Sequence, residues 1–284
     1  MTEFRAASAN LWWCETNHPA WQALGKDCTS KRRGPLFAKV FEEICADLYG
    51  LQECPGKMTT ELMTAITEKG LPYALLWGRD TPILYRADRF EVLHDETFIY
   101  PEQVPGYEGS FNNLKTKSYS LGVFRRKGSG EIIVFGSTHL WYKSGNPEWK
   151  HYQPFSQEAR VVQIRLVAAR ANGLLNQYGG TAVLTGDMNT YPDSTVLNVA
   201  RELGFLHAHD VSQGETDDTT GLHKCSEDGF DSIIHPGGFE HSIDHILIKG
   251  DGAKDVKRFV RYSDPAVMEL SDHLPVYIDF AFGN

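Results

Sequence analysis

The sequence predicts a mixed α/β protein in which two packed sheets are flanked by helices. Short strand-like runs recur along the whole chain, cut by Gly, Pro, Asn and Asp, while only three segments carry a helical period. Their order, with strands in runs rather than in strict alternation with helices, favours layers of sheet and helix over a single parallel sheet.

Taken in order, strands are expected at 5–12, 48–52, 73–77, 83–85, 90–99, 118–125, 132–138, 182–185, 242–248, 257–262 and 276–280. The first helix is expected at 35–47, where Leu36, Val40, Ile44 and Leu48 repeat every four residues. A second runs over 157–177 on the stripe Val161, Ile164, Val167, Ala168 and Leu175, and a third from Ser194, an N-cap residue type, to Leu203. Residues 101–117 and 141–154 read as long loops, the second carrying Trp141, Tyr142, Trp149 and Tyr152 among Lys143, Lys150 and His151. No repeat or Pro/Ser-rich linker divides the chain, so residues 1–284 are expected to form one domain.

Charge and cysteine usage bound the function. Twenty-eight Lys plus Arg against 37 Asp plus Glu leave a net charge of −9, which excludes an evenly basic surface for long duplex nucleic acid but leaves room for a local basic groove. Cys14, Cys28, Cys45, Cys54 and Cys225 are odd in number and contain no CxxC pair, so a reducing, cytoplasmic setting is expected rather than a disulfide framework. No apolar run has the length of a membrane span, and the start of the chain lacks a basic head followed by an apolar stretch.

Five short segments bring acids, amides and histidines to the ends of apolar runs. Ser8-Ala9-Asn10 ends the first strand; Leu51-Gln52-Glu53 ends another, stopped by Pro55. Ser137-Thr138-His139 delivers a histidine, and Thr185-Gly186-Asp187-Met188-Asn189 a carboxylate and an amide two residues apart, which in extended geometry would face one bound group. Ser242-Ile243-Asp244-His245 and Ser271-Asp272-His273 place two Asp-His pairs near the C-terminus. Each segment alone is ordinary; it is their joint occurrence that points to a site.

In their types and order these segments resemble the endonuclease/exonuclease/phosphatase superfamily, the DNase I-like metal-dependent phosphoesterases, from Asn10 to His273. The resemblance implies a two-sheet, four-layer α/β/β/α sandwich and a Mg²⁺ or Mn²⁺ ion. It implies Glu53 as principal ligand, with Asn10 and Asp272 completing or supporting the site. Asp187 would orient or deprotonate the attacking water, Asn189 would hold that water or a phosphate oxygen, and His139 and His273 would contact the phosphate, with Asp244 pairing His273. Such groups match what phosphate-ester hydrolysis requires: a positioned water, and neutralisation of the charge that grows on the phosphoryl oxygens.

Two features depart from parts of the family. The carboxylate that in several members partners the first histidine has only Asp80 as a candidate, and the Trp-Cys-Asp-Arg segment of inositol-polyphosphate phosphatases is absent. Lys115, Lys117, Trp141 and Tyr142 are candidate substrate contacts through phosphate pairing or stacking on a base or sugar. Lys31-Arg32-Arg33 reads as a solvated face, and His207, His209 and His245 read as structural. The expected activity is phosphodiester cleavage of a nucleotide or nucleic acid; the alternatives are hydrolysis of a small phosphorylated metabolite, sugar or lipid head group, and a catalytically silent binding domain, against which the presence of Glu53, Asp187 and His273 counts.

Overall fold

The structure, a computed structural model, describes residues 3–13, 27–149, 151–214, 242–262, 264, 267 and 270–282; Cys14, Lys150 and Cys225 lie outside them. In chain order the elements are β1 (Glu3–Asn10), α1 (Ser30–Ile44), β2 (Leu48–Gln52), α2 (Gly56–Glu68), β3 (Tyr73–Leu76) and β4 (Ile83–Arg86). Next come β5 (Phe90–Ile99), β6 (Ser118–Arg126), β7 (Ile132–His139), α3 (Ser156–Tyr178), β8 (Thr181–Asp187) and α4 (Thr195–Glu202). The chain closes with β9 (Leu206–His207), β10 (Asp244–Gly250), β11 (Val256–Arg261) and β12 (Val276–Ala281).

These strands form two six-stranded sheets, one ordered β11-β12-β1-β2-β4-β3 and the other β5-β6-β7-β8-β10-β9. The pairs β1/β2 and β7/β8 are parallel and the rest are antiparallel. Strand period explains the layering. In β1, Phe4 and Ala6 face the opposite sheet and join Leu48, Phe135, Val183, Ile246 and Ile278 in the inner core. Ala7 and Ala9 face outward, where Phe37, Phe41 and Ile44 of α1 and Met58, Leu62 and Ile66 of α2 cover them. On the other sheet Ile164, Val167, Ala171 and Leu174 of α3, with Val196 and Ala200 of α4, cover Leu121, Val134, Ala182 and Leu184. The result is the expected α/β/β/α sandwich.

The differences from the sequence reading have local causes. Helix α2 was not expected; its Thr-rich stretch has weak helix propensity, yet Met58, Leu62, Ala65 and Ile66 form a buried stripe at helical spacing. Helix α1 starts five residues before the expected Pro35, because the Arg32 and Arg33 N–H groups turn back onto the Thr29 carbonyl. It stops at Ile44, where Cys45 takes a left-handed φ of 52°. Asp47 is then free to receive the backbone N–H of Arg5 and the side chain of Arg89.

At one end of the sandwich the inner rows turn from apolar to polar. Ser8 donates to Gln52, whose amide donates to Ser137 Oγ at 3.0 Å, and Ser137 donates across the seam to the Leu51 carbonyl at 2.7 Å. The sheets can approach this closely because residue 50 is glycine: a Cβ there would lie 1.9 Å from Thr185 Oγ1, which is held by the Gly136 carbonyl. At the outer edge Asp279 receives Arg5 through both oxygens, at 2.6 and 2.9 Å, and Arg258 at 2.6 Å, tying β1, β12 and β11 together. Burial would raise the Asp279 carboxyl, but the hydrogen bonds from Arg5 and Arg258 outweigh it and hold it below its usual range.

Two predictions follow from this frame. Gly50→Ala should destabilise the fold by about 1–3 kcal/mol through overpacking at the seam; an unchanged urea midpoint would contradict the close approach. Asp279→Asn should cost about 2–3 kcal/mol at neutral pH, because two arginines lose a charged acceptor. Since the folded carboxyl titrates below the unfolded one, that contribution is complete above the unfolded pKa of about 3.9 and fades as pH falls through the folded value. Urea titrations at pH 7 and pH 3 should therefore show a deficit that shrinks in acid.

Candidate active site

The same strand period that builds the inner core carries its rows out to the site. Continuing Phe4, Ala6 and Ser8 by two reaches Asn10; continuing Ile133, Phe135 and Ser137 reaches His139; continuing Val183 and Thr185 reaches Asp187; and Ile248 and Ile246 lead back to Asp244. Register then lines them up: His139 lies opposite Asp187, Asp187 opposite Asp244, and Asn10 opposite Gln52, next to Glu53. His273 arrives on the segment entering β12, where Ser271 donates to the Asn10 carbonyl and accepts the His273 backbone N–H.

Asn10 Nδ2 donates to Asp187 Oδ2 at 3.1 Å and lies 3.5 Å from His273 Nε2. His139 Nε2 is 3.4 Å from Asp187 Oδ2 and 3.8 Å from Glu53 Oε1. His273 Nδ1 is hydrogen-bonded to Asp244 Oδ2 at 2.7 Å, while its Nε2 faces Asp187 at 3.8 Å and Asp272 at 3.9 Å. Lys117, just before β6, reaches in with its Nζ 2.5 Å from His139 Nε2. Trp12, Glu53 and Asn189, all beside the site, hold left-handed φ values of 55°, 50° and 49°. Non-glycine residues in this region carry strain that surrounding contacts must sustain. Here Trp13 N–H holds Glu53 Oε2 at 2.6 Å, and Asn189 donates from its backbone to Asp187 and from its side chain to the Leu140 carbonyl.

Several charges are buried together, and each shifts the others. Burial alone would raise Glu53, but His139, Lys117 and His273 pull it below the usual carboxylate range. Asp187 is likewise held down, its burial outweighed by His139, His273 and Lys117. Burial lowers Lys117 against the pull of Glu53 and Asp187. His273 goes the other way: burial disfavours its charge, yet Asp244 and Asp272 hold it protonated. Asp272 is pushed up to about 7, by burial first and then, against the His273 charge, by the neighbouring Glu53 carboxylate. Carboxylates crowded in this way are the natural surroundings of a divalent cation, and Glu53, His139 and Asp187 each bring a ligand atom within 4.8 Å of the others.

The profile of the Endonuclease/Exonuclease/phosphatase family matches residues 37–273. The chain belongs to that family. Its members are phosphoester hydrolases that depend on a divalent metal, and this chain is one of them. No curated protein sequence matches it significantly. Solved structures do. An endonuclease/exonuclease/phosphatase from Bacteroides vulgatus superposes with a TM-score of 0.76 at 19% identity, covering 100% of both chains. A family protein from Bacteroides thetaiotaomicron gives 0.74 at 20% identity, covering 99% of this chain and 96% of its own. The Bacteroides thetaiotaomicron mannosyl-6-phosphatase Bt3783 gives 0.73 at 20% identity, with 98% and 100% covered. At these identities the likeness is one of fold.

Of the residues expected at the site, Asn10, Glu53, Lys117, His139, Asp187, Asp244, Asp272 and His273 converge in this corner. Asn189 stands beside them, but not for the reason expected: the chain leaves β8 at Asp187 and turns left-handed, so the two side chains are not parallel neighbours on a strand. Trp141 is corrected outright. It is 2% exposed and packed on Phe111, Val104 and Ala159, so it cannot stack a ligand. Tyr142, 45% exposed, stands at the rim with Lys117 Nζ 5.4 Å from its ring centroid. Lys115 is exposed on a left-handed turn held by Asn112, with no bond to the site residues.

Asp80 is buried, and His139 is the first of the charges opposing its burial-raised pKa, although no hydrogen bond joins them. Sequence reasoning missed Arg33, read as solvated but fully buried. Its guanidinium donates to the carbonyls of Leu11, Trp12 and Leu270, clamping the two segments that carry Asn10 and Asp272. Its position three residues into a helix, beside apolar Phe37, was the available signal.

Asp187→Asn keeps the size of the side chain and removes its charge. It should lower kcat by about 10²- to 10⁴-fold, the usual loss of a general acid/base, while the thermal midpoint stays within a few degrees. Activity near the parent's in a folded Asp187→Asn protein would remove Asp187 from the chemistry.

Proposed function

We propose that this protein is a Mg²⁺- or Mn²⁺-dependent phosphodiesterase acting on a small or single-stranded phosphodiester, a nucleotide or short nucleic acid. The observation that carries this reading is the convergence of Glu53, His139, Asp187 and the His273–Asp244 pair at one end of the sandwich. Glu53, with Asn10 and Asp272, would hold the ion, whose chemistry is neutralisation of phosphoryl charge and acidification of water.

The chain's own residues do the rest. Asp187, kept ionised, accepts a proton from or orients the attacking water, beside which Asn189 supplies a further polar contact. His273, charged by Asp244, donates to the phosphate, and His139 faces it from the opposite side of Asp187. Lys117 adds positive charge behind His139, and Lys115 lies further out as an exposed phosphate contact. At the rim Tyr142 offers a stacking face, as do Trp13, whose backbone N–H holds Glu53, and Tyr191, two residues past Asn189; they are 52% and 45% exposed.

A second reading, hydrolysis of a phosphomonoester such as a sugar phosphate, is favoured by Lys117. A terminal phosphate carries more charge than a diester, and a buried ammonium aimed into the site would compensate it. The fold shared with a mannosyl-6-phosphatase supports the same alternative.

We infer further that the chain works as one domain, supported by an inner core that draws on both sheets. A cytoplasmic setting is supported by Cys45 and Cys54 standing without disulfides. Among the described residues no helix is long and apolar enough to cross a membrane.

The discriminating assay compares bis-p-nitrophenyl phosphate with p-nitrophenyl phosphate. Faster diester turnover with Mg²⁺ or Mn²⁺, abolished by EDTA, is the expected outcome. Preference for the monoester would favour the second reading, and no metal-dependent turnover of either would defeat both.

A further inference from the structure

A second cluster of metal-binding side chains lies away from the catalytic corner, on the outward side of β10. His207, His209 and Asp210 each bring a ligand atom within 4.8 Å of the others, and Asp210 Oδ1 stands 3.5 Å from Nδ1 of both imidazoles. A tetrahedral ion with bonds of about 2.0–2.2 Å spaces its ligand atoms roughly 3.3 Å apart. The two His–Asp separations are already close to that edge length.

The hydrogen bonds behind the cluster say which lone pairs face it. His245 Nε2 lies 2.8 Å from the Thr190 carbonyl, which can only accept, so this nitrogen carries the proton. In neutral His245 the other nitrogen, Nδ1, is then an acceptor, and it lies 2.9 Å from His207 Nε2, which must donate to it. A neutral His207 is thereby left with a bare lone pair on Nδ1. That atom is buried in a side chain only 5% exposed as a residue, has no hydrogen-bond partner, and points at a carboxylate. Two electron-pair donors facing each other repel unless a cation, a proton or a metal ion, lies between them. Asp210 Oδ2 is meanwhile engaged by Arg201 at 3.6 Å, which leaves Oδ1 to the imidazoles.

We propose that His207, His209 and Asp210 form a second metal site, selective for a zinc-like transition metal and open to solvent at its fourth position. Two imidazoles and one carboxylate suit zinc and its neighbours, whereas magnesium prefers an all-oxygen shell. The His207–His245–Thr190 chain supplies the outer hydrogen bonds that orient a metal-bound histidine. Thr190 follows Asn189 directly, and Arg201 also donates to the Pro192 carbonyl at 2.9 Å. Metal at the cluster would therefore brace residues 189–192, the loop leaving Asp187, from two directions. His209 and Asp210, with side chains 34% and 53% exposed, leave the entry path open.

The test counts zinc on the full chain carrying Glu53→Gln, which weakens the catalytic metal site, with and without His209→Ala or Asp210→Asn. Both substitutions fall on partly exposed side chains, so folding can be checked by circular dichroism. Equilibrium dialysis with metal analysis should show one zinc equivalent fewer per chain in either double variant. Its affinity should fall at least the 10- to 100-fold that loss of even an outer-shell partner typically costs. Cobalt(II) should give the visible absorption of a tetrahedral ion in the Glu53→Gln protein and lose it in both double variants. Coincident zinc titrations with and without His209→Ala would overturn the proposal, as would absence of zinc binding to the Glu53→Gln protein.

Discussion

Close approach of the two sheets at one corner is the constraint on which the site depends. Gly50 leaves no room for a side chain against Thr185, and across that gap Ser137 reaches the Leu51 carbonyl while Gln52 reaches Ser137. Polar groups buried at such a seam must find partners, and these do so with one another, so the register between the sheets is specified rather than merely greasy. Asn10, Glu53, His139 and Asp187 extend from the same four strands, one or two residues beyond that seam. A shift of one residue in β1, β7 or β8 would turn its site residue to the outer face, whereas Glu53, past the end of β2, is aimed by its left-handed turn.

The second constraint is electrostatic. Several carboxylates, two histidines and a lysine share a space largely closed to water, and no pair accounts for it alone. His273 keeps its charge because Asp244 backs it; Asp187 keeps its own because His139, His273 and Lys117 surround it. Asp272 is raised by burial and by Glu53 against the pull of His273, and Asp244 Oδ1 and His139 Nδ1 are buried without a hydrogen-bond partner among the described residues. An arrangement of this kind favours bound cations and bound phosphate over the empty state, a physical rationale for a metal-dependent phosphoester hydrolase with a net charge of −9. The acidic balance is partly spent inside the site.

The residues that hold the site in place are less conspicuous than those in it. Arg33 gathers the carbonyls of Leu11, Trp12, Cys28 and Leu270, Ser271 pins the His273 segment to Asn10, and the Trp13 N–H steadies a Glu53 held at a strained φ. Such contacts join residues far apart in the chain, and the only local sign that Arg33 is buried is its helical spacing to Phe37. Trp141 shows the converse. Its neighbours suggested an exposed aromatic loop, but burying so large a ring against Phe111 and Ala159 is worth more than leaving it wet.

What the sequence determined by itself was the set of chemical groups and their places at strand ends. Period-two patterning assigns Asn10, His139, Asp187 and Asp244 to faces, and the motif order names the family. Helix α2 was missed, because its threonines weaken helix propensity, and its buried stripe of Met58, Leu62, Ala65 and Ile66 emerged only in the fold. Only the tertiary structure decided which partners each group has: that Lys117 meets His139, that Asn189 turns out of the strand, and that Asp210 completes a cluster with His207 and His209. Periodicity acts within a strand, where each residue's face is set by its own neighbours. Partnership is set by register, by sheet separation and by left-handed turns, all of which depend on contacts between residues tens to hundreds of positions apart.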